Sequence, residues 1–322
     1  MSGTNYIKKV AVVGATGNLG KHIIKSLLQT NKHEVTALSR RNIDVPEGVK
    51  VAVVSYDDPD SLKKALEGQD ALVITMAAWV RDAQTKLVEA SAAAKVPFVI
   101  PNEWGIESTH GTLGIDTLIE QGSAVVRSKI EELGVSSWIA MTTGYWYSHS
   151  VALPESYGID LRSKTVTFFD DGNTKINAIT WQKTGEAVAG LLSLPIERET
   201  SSTRALSDYK NRRVFVSSWL LSQKDMFKQV LRVTGDKESD WTIKYEPALE
   251  RWQAAHKRVL AGDYSAFARC LYTRTFFNNG DGDFQTRHGL DNEALGITED
   301  TLESLEEETR NAIKMVEEGY GY

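Results

Sequence analysis

Along the first 140 residues the apolar positions switch repeatedly between a period near two and a period near four. Strand-like runs fall at Lys9–Val13, Glu34–Ser39, Val49–Ser55, Ala71–Thr75, Phe98–Pro101 and Ser136–Met141. Between them, helical spacing appears at Asn18–Thr30, Ser61–Glu67, Val80–Lys95 and Thr117–Leu133. Strands that alternate with helices in this way predict a parallel sheet covered on both faces, the doubly wound Rossmann-type α/β fold.

After Met141 the rhythm changes. An aromatic cluster at Tyr145, Trp146 and Tyr147 leads to a strand-like Thr165–Phe169, a turn at 170–173, a strand-like Lys175–Thr180 and a helix at Gln182–Leu192. A polar loop at Glu197–Thr203 precedes a strand at Arg213–Val216 and a serine-capped helix at Ser222–Val233. These parts are expected to return to the main sheet. From Trp241 the chain reads as mostly helical and ends in an amphipathic helix at Thr298–Val316, capped by Thr298, with Leu302, Leu305, Ala312, Ile313 and Val316 on its apolar stripe. The organisation expected is a dinucleotide-binding domain over residues 1–155, with returning segments from about 175–222. A smaller, mostly helical substrate domain takes residues 223–322 together with 156–174.

Composition narrows the classes. With 322 residues, 41% hydrophobic content and 37 basic against 43 acidic side chains, the chain has an ordinary globular make-up and no basic surplus for nucleic acid or an anionic membrane. Cys270 stands alone, so no internal disulfide forms, and no Asn-x-Ser/Thr sequon occurs. The longest mostly apolar run, Ala71 to Val80, is half a membrane span. A cytoplasmic protein acting on a small molecule, as monomer or homodimer, is the expectation.

The densest chemical signal is Gly14-Ala15-Thr16-Gly17-Asn18-Leu19-Gly20, set between a buried strand and a helix. The first glycine permits a tight turn, the second lets backbone amides approach a pyrophosphate, and the third lets helix and strand pack closely. The helix start then offers free N–H groups and a positive dipole end to phosphate. Gly14 and Gly20 are one residue too far apart for the nucleotide-triphosphate loop, and Lys21 is followed by His22. The second strand ends at Ser39-Arg40-Arg41, where an NAD site wants a carboxylate; arginines there suit the 2′-phosphate of NADPH. The expected cofactor contacts are Gly14, Thr16, Gly17, Asn18, Leu19, Gly20, Ser39, Arg40 and Arg41, with Thr75 at the end of the fourth strand.

Other chemistries find no purchase. None of the eleven tyrosines has a lysine four residues on, there is no zinc or nucleophile-elbow motif, and the six histidines are scattered. No metal site is expected. Ligands of doubly wound sheets lie beyond the carboxyl ends of the strands, which places Tyr145, Trp146, Tyr147 and His149 beside a planar hydrophobic substrate or, equally, in a domain interface. His110, in a polar loop, is a further candidate for the cleft.

The segments GATGNLG, SRR, VIPNEWG, TTGYWY, VTFFDDGNTKIN and DFQTRHGLDNEALG together resemble the NmrA-like family of atypical short-chain dehydrogenases. Within it the chain is similar to the isoflavone and phenylcoumaran benzylic ether reductases and their fungal relatives. The resemblance covers essentially the whole chain. It implies NADPH in the N-terminal domain and a substrate cleft against a smaller C-terminal one. It also implies a nicotinamide near VIPNEWG, with Asn102 toward the cofactor and Glu103 and Trp104 toward the substrate.

The plant reductases carry an essential lysine eleven residues before the glycine that precedes the next strand. Counted back from Gly134, Ser123 stands there. Candidate replacements are Arg127 or Lys129 on the same helix, Lys175 from a later strand, or a tyrosine such as Tyr145. Arginine can fix charge but donates no proton at neutral pH. The leading reading is an NADPH-dependent reductase of a small aromatic or polyketide-like molecule. The alternatives are an NADP(H)-binding redox sensor without turnover and a non-redox isomerase.

Overall fold

The computed structural model describes residues 5–77, 81–201 and 203–320. Strands β1 (Lys9–Val13), β2 (Glu34–Ser39), β3 (Lys50–Val53), β4 (Ala71–Ile74) and β5 (Phe98–Ile100) pair in parallel in the order β3-β2-β1-β4-β5. β6 (Trp104–Gly105) pairs with β7 (Ser137–Thr142), which adds to β5. The order reverses between β1 and β4, so the crevice of the doubly wound sheet opens where these two strands end.

Alternation along the strands shows why both faces need cover. Val10 and Val12 pack with Ile23, Leu27, Val188 and Leu192 on one side, whereas Ala11 and Val13 pack with Leu62, Leu87, Val88 and Ile130 on the other. The first face is closed by the helices Asn18–Gln29 and Trp181–Ser193, and the second by Pro59–Leu66, Arg81–Ala93 and Glu120–Leu133. A methyl group on Gly185 would lie 2.6 Å from the His22 carbonyl oxygen, so this glycine sets how closely the two helices of the first face approach.

Beyond β7 the chain builds a second body. β8 (Tyr145–Trp146), β11 (Lys175–Ile179) and β13 (Trp219–Ser222) form one three-stranded sheet, in the order β13-β11-β8. β9 (Ile159–Asp160), β10 (Thr165–Phe169) and β14 (Thr242–Glu246) form another. Among the described residues after β7, only β12 (Arg212–Phe215) returns to the main sheet, in parallel beside β7. The expected return of Thr165–Phe169 and Lys175–Thr180 is therefore corrected: their inward side chains Phe168, Phe169, Ile176 and Ala178 join Tyr147, Tyr157 and Trp219 in a separate aromatic core.

Smaller differences have local causes. The last helix runs Leu302–Glu317 and is capped by Thr301, whose hydroxyl accepts from Ser304 N; Thr298 instead accepts from Lys183 Nζ. That register leaves Leu302 exposed and puts Thr309 in the core between Leu305 and Ala312. The helix expected at Thr117–Leu133 begins at Glu120 instead, because Leu118 takes a positive φ and separates it from a short helix at Leu113–Asp116. β14 escaped the sequence pattern because four of its five residues are exposed, as on an edge strand. Val80, expected to begin the third helix, lies outside the described residues.

Candidate active site

The glycine turn sits at the β1 end of the crevice. Gly14 has φ +80°, and a methyl group there would lie 1.8 Å from the Thr75 carbonyl oxygen; one on Gly20 would lie 2.1 Å from the Gly14 oxygen. Both positions exclude any side chain. Gly17 N donates to Gly14 O at 2.9 Å and closes the turn. Gly17 is also the cap of the helix Asn18–Gln29, with no side-chain hydrogen bond at the cap and no acidic residue in the first turn. A helix start left uncapped and free of carboxylates suits a pyrophosphate, so the residues fit a dinucleotide.

Two neighbours tie this turn to what lies beside it. Thr75 Oγ1 donates to Val13 O at 2.7 Å. The Asn102 side chain grips the next residue from both sides, accepting from Met76 N at 3.0 Å and donating to Met76 O at 2.9 Å. Asn102 thus shapes the wall through the backbone. Ser39 is partly buried at the end of β2, and Arg40 and Arg41 after it are exposed.

Beyond Met76 opens a cavity of about 760 Å³. Asn102, Glu103, Trp104, Ser123, Tyr145, Trp146 and His149 all line it, and Phe267, Leu271 and Tyr272 of the helix Phe267–Thr275 close it from the second body. Of the expected substrate contacts, Tyr147 and His110 are not among its lining residues. Tyr147 is fully buried with its hydroxyl 3.0 Å from Thr309 Oγ1, and His110 lies 3.4 Å from the Asp281 carboxylate.

The candidates for the missing lysine separate cleanly. Arg127 donates from Nη1 to both Glu103 oxygens at 2.6 Å and from Nη2 to Glu120. Arg213 approaches Glu103 from the other side and donates to Ser108 Oγ at 2.9 Å. Glu103, Arg127 and Arg213 are all less than a tenth exposed, so this network fixes the loop after β5 and leaves Arg127 no freedom to meet a substrate. Lys175 is exposed at the start of β11, and neither it nor Lys129 lines the cavity. The Tyr145 hydroxyl is 2.7 Å from Thr275 Oγ1, its ring stacks on Tyr272 at 4.0 Å, and burial pushes its pKa well above the ordinary value. Ser123 does face the cavity.

Sequence reasoning missed Arg213 and Tyr272, and it missed Trp181 and Tyr320, which join the expected Trp146 and His149 in an aromatic group at the junction of turn and cavity. There His149 and Trp146 meet Trp181 at 5.9 and 6.2 Å between ring centres. His149 Nδ1 lies 2.6 Å from the hydroxyl of Tyr320, and burial lowers the His149 pKa to about 4. The Nε1 atoms of Trp146 and Trp181 are buried without a hydrogen-bond partner among the described residues. No group of three or more His, Cys, Asp or Glu residues able to hold a metal occurs among the described residues, and none of their helices is long and apolar enough to cross a membrane.

Comparison with known proteins gives the same class. Residues 14–117 match a family model described as NAD(P)H-binding. Over 295 residues the chain is 26% identical to the oxidoreductase aprR of Aspergillus flavus, covering 90% of this chain and 94% of that one. It is 26% identical over 239 residues to the bifunctional pinoresinol-lariciresinol reductase 1 of Linum usitatissimum, covering 66% and 73%. In fold it is similar to a crystal structure of isoflavone reductase, with a TM-score of 0.71 at 17% identity over 92% of this chain and 98% of the other. A ternary complex of leucoanthocyanidin reductase from Vitis vinifera gives 0.68 at 16% identity over 95% and 99%. The turn, the fold and these matches define an NAD(P)H-binding protein of the oxidoreductase class. The relatives and neighbours to which this chain is similar are named as oxidoreductases and as isoflavone, pinoresinol-lariciresinol and leucoanthocyanidin reductases.

Proposed function

We propose that the protein is an NADPH-dependent reductase of an uncharged aromatic or polyketide-like small molecule. The observation that carries this reading is the adjacency of two sites: Thr75 floors the glycine turn, and Met76, the next residue, walls the aromatic cavity. Gly14, Gly17 and Gly20 shape the turn, the N–H groups that begin the following helix hold the pyrophosphate, and Arg40 and Arg41 neutralise the 2′-phosphate. Bound there, the cofactor supplies a hydride. The chain supplies an apolar wall of Trp104, Tyr145, Trp146 and Phe267 for the substrate. Glu103 lines the cavity with its charge already taken by Arg127 and Arg213, so a neutral substrate meets no unpaired buried carboxylate there.

Replacing Arg40 and Arg41 together by alanine is expected to weaken NADPH by several-fold to about a hundredfold, roughly 1–3 kcal/mol, while sparing NADH. Calorimetric titration of both cofactors measures the ratio. An unchanged NADPH/NADH preference contradicts the assignment.

Ser123 favours a second reading. It faces the cavity at the position where the resemblance calls for lysine, and a site that holds NADP(H) without turning it over would be a redox sensor. That reading requires different affinities for NADP⁺ and NADPH, because a pair of ligands bound equally shifts no equilibrium.

A further inference from the structure

We propose that Tyr320, near the end of the chain, is a positioning residue that fixes His149 as a neutral hydrogen-bond donor, through Nε2–H, for an acceptor oxygen of the substrate. The inference rests on the reductase reading only for the chemistry of that substrate. Its ground is geometric. His149 lines the cavity, and its Nδ1 edge is occupied by the Tyr320 hydroxyl at 2.6 Å. The ring is held in place by Trp146 at 6.3 Å, Trp181 at 5.9 Å and Tyr320 at 5.7 Å between centres.

The direction of the contact decides what His149 offers. A neutral imidazole carries one N–H, and the partner of one nitrogen settles where it sits. The side chain of Asn18, the first residue of the helix after the glycine turn, acts on Tyr320 in the sense that favours a negative phenol oxygen, as an amide N–H facing that oxygen does. An amide N–H given to the phenol oxygen leaves the phenol O–H for Nδ1, and the imidazole proton then resides on Nε2. Burial keeps the ring uncharged at neutral pH. A neutral imidazole can polarise a carbonyl without delivering a full proton, a role the reference enzyme triosephosphate isomerase illustrates. Tyr320 thus stands between Asn18, at the cofactor turn, and His149, on the substrate wall.

The test needs no identified substrate. Nitrogen-15 NMR of His149 in the intact protein, with saturating NADP⁺, should show Nε2 protonated and Nδ1 as acceptor, and Tyr320→Phe should mix the tautomers. Binding of 1-tetralone, a neutral aryl ketone, is then compared with that of tetralin, which lacks the oxygen. The wild-type protein should prefer the ketone by about tenfold, the effect of one hydrogen bond. His149→Gln, whose amide nitrogen falls near the Nε2 position, should keep most of this preference, whereas Tyr320→Phe should shrink it and His149→Phe should abolish it. A proton on Nδ1, an equal preference in His149→Phe, or binding of neither probe overturns the proposal. If the tautomer and the preference are found but NADPH is never oxidised, the reductase reading fails and this assignment stands.

Discussion

His149 and Gly14 show how single residues carry opposite kinds of information. Gly14 announces itself in sequence because only glycine fits a positive φ with a backbone oxygen 1.8 Å from where its methyl would be. His149 gives no such sign, since its partner Tyr320 is 171 residues away. Its burial has a measurable consequence. The ordinary pKa of 6.5 falls to about 4 in the fold, so between these values the unfolded chain binds a proton that the folded one refuses. Stability due to this group is complete above the unfolded pKa and is lost as pH falls toward the folded one. His149→Gln should therefore flatten the stability curve over that acid window, where the wild-type protein loses about 3 kcal/mol through this residue. Urea denaturation midpoints of the two proteins at about pH 7 and about pH 4.5 measure it, and parallel losses would show that His149 titrates normally.

At the scale of elements, the loop after β5 and the helix Glu120–Leu133 are joined by charge. Arg127 reads from sequence as a possible stand-in for lysine because it lies one turn from Ser123, but its guanidinium is committed to Glu103 and Glu120. Removing Arg127 leaves Glu103 to Arg213 alone and Glu120 partly exposed without its guanidinium, a cost below the about 3–5 kcal/mol of a wholly uncompensated buried charge. Arg127→Met should lower the melting temperature by several degrees and reduce cofactor binding only through that loss, as thermal unfolding and calorimetry on the same sample will show. A variant of unchanged stability that loses turnover would return Arg127 to a direct role. The main sheet was legible because its strands are apolar runs flanked by helices of clear periodicity. The second body was not, because β10 and β11 show the same alternation whether they extend the main sheet or pair with β14 and β13. Arg213 was illegible for a related reason: it reaches Glu103 across 110 residues only once β12 has docked on β7.

For the whole molecule, the two bodies meet around one cavity. The Rossmann body brings Met76, Asn102 and Ser123, and the second body closes the space with Phe267 and Tyr272. The glycine turn could be read from residues alone because its chemistry is local; the cavity could not, because its wall is assembled from segments almost 200 residues apart. We place the reaction of cofactor with substrate where these bodies join. Its most direct measurement is NADPH consumption by the purified protein against a panel of aromatic enones, lactols and benzylic ethers, with Gly14→Val as the control that cannot form the turn. Loss of NADPH matched by a reduced product with at least one compound, absent in Gly14→Val, is the expected result. NADPH that binds tightly to the wild-type protein and is consumed with none of them would contradict it.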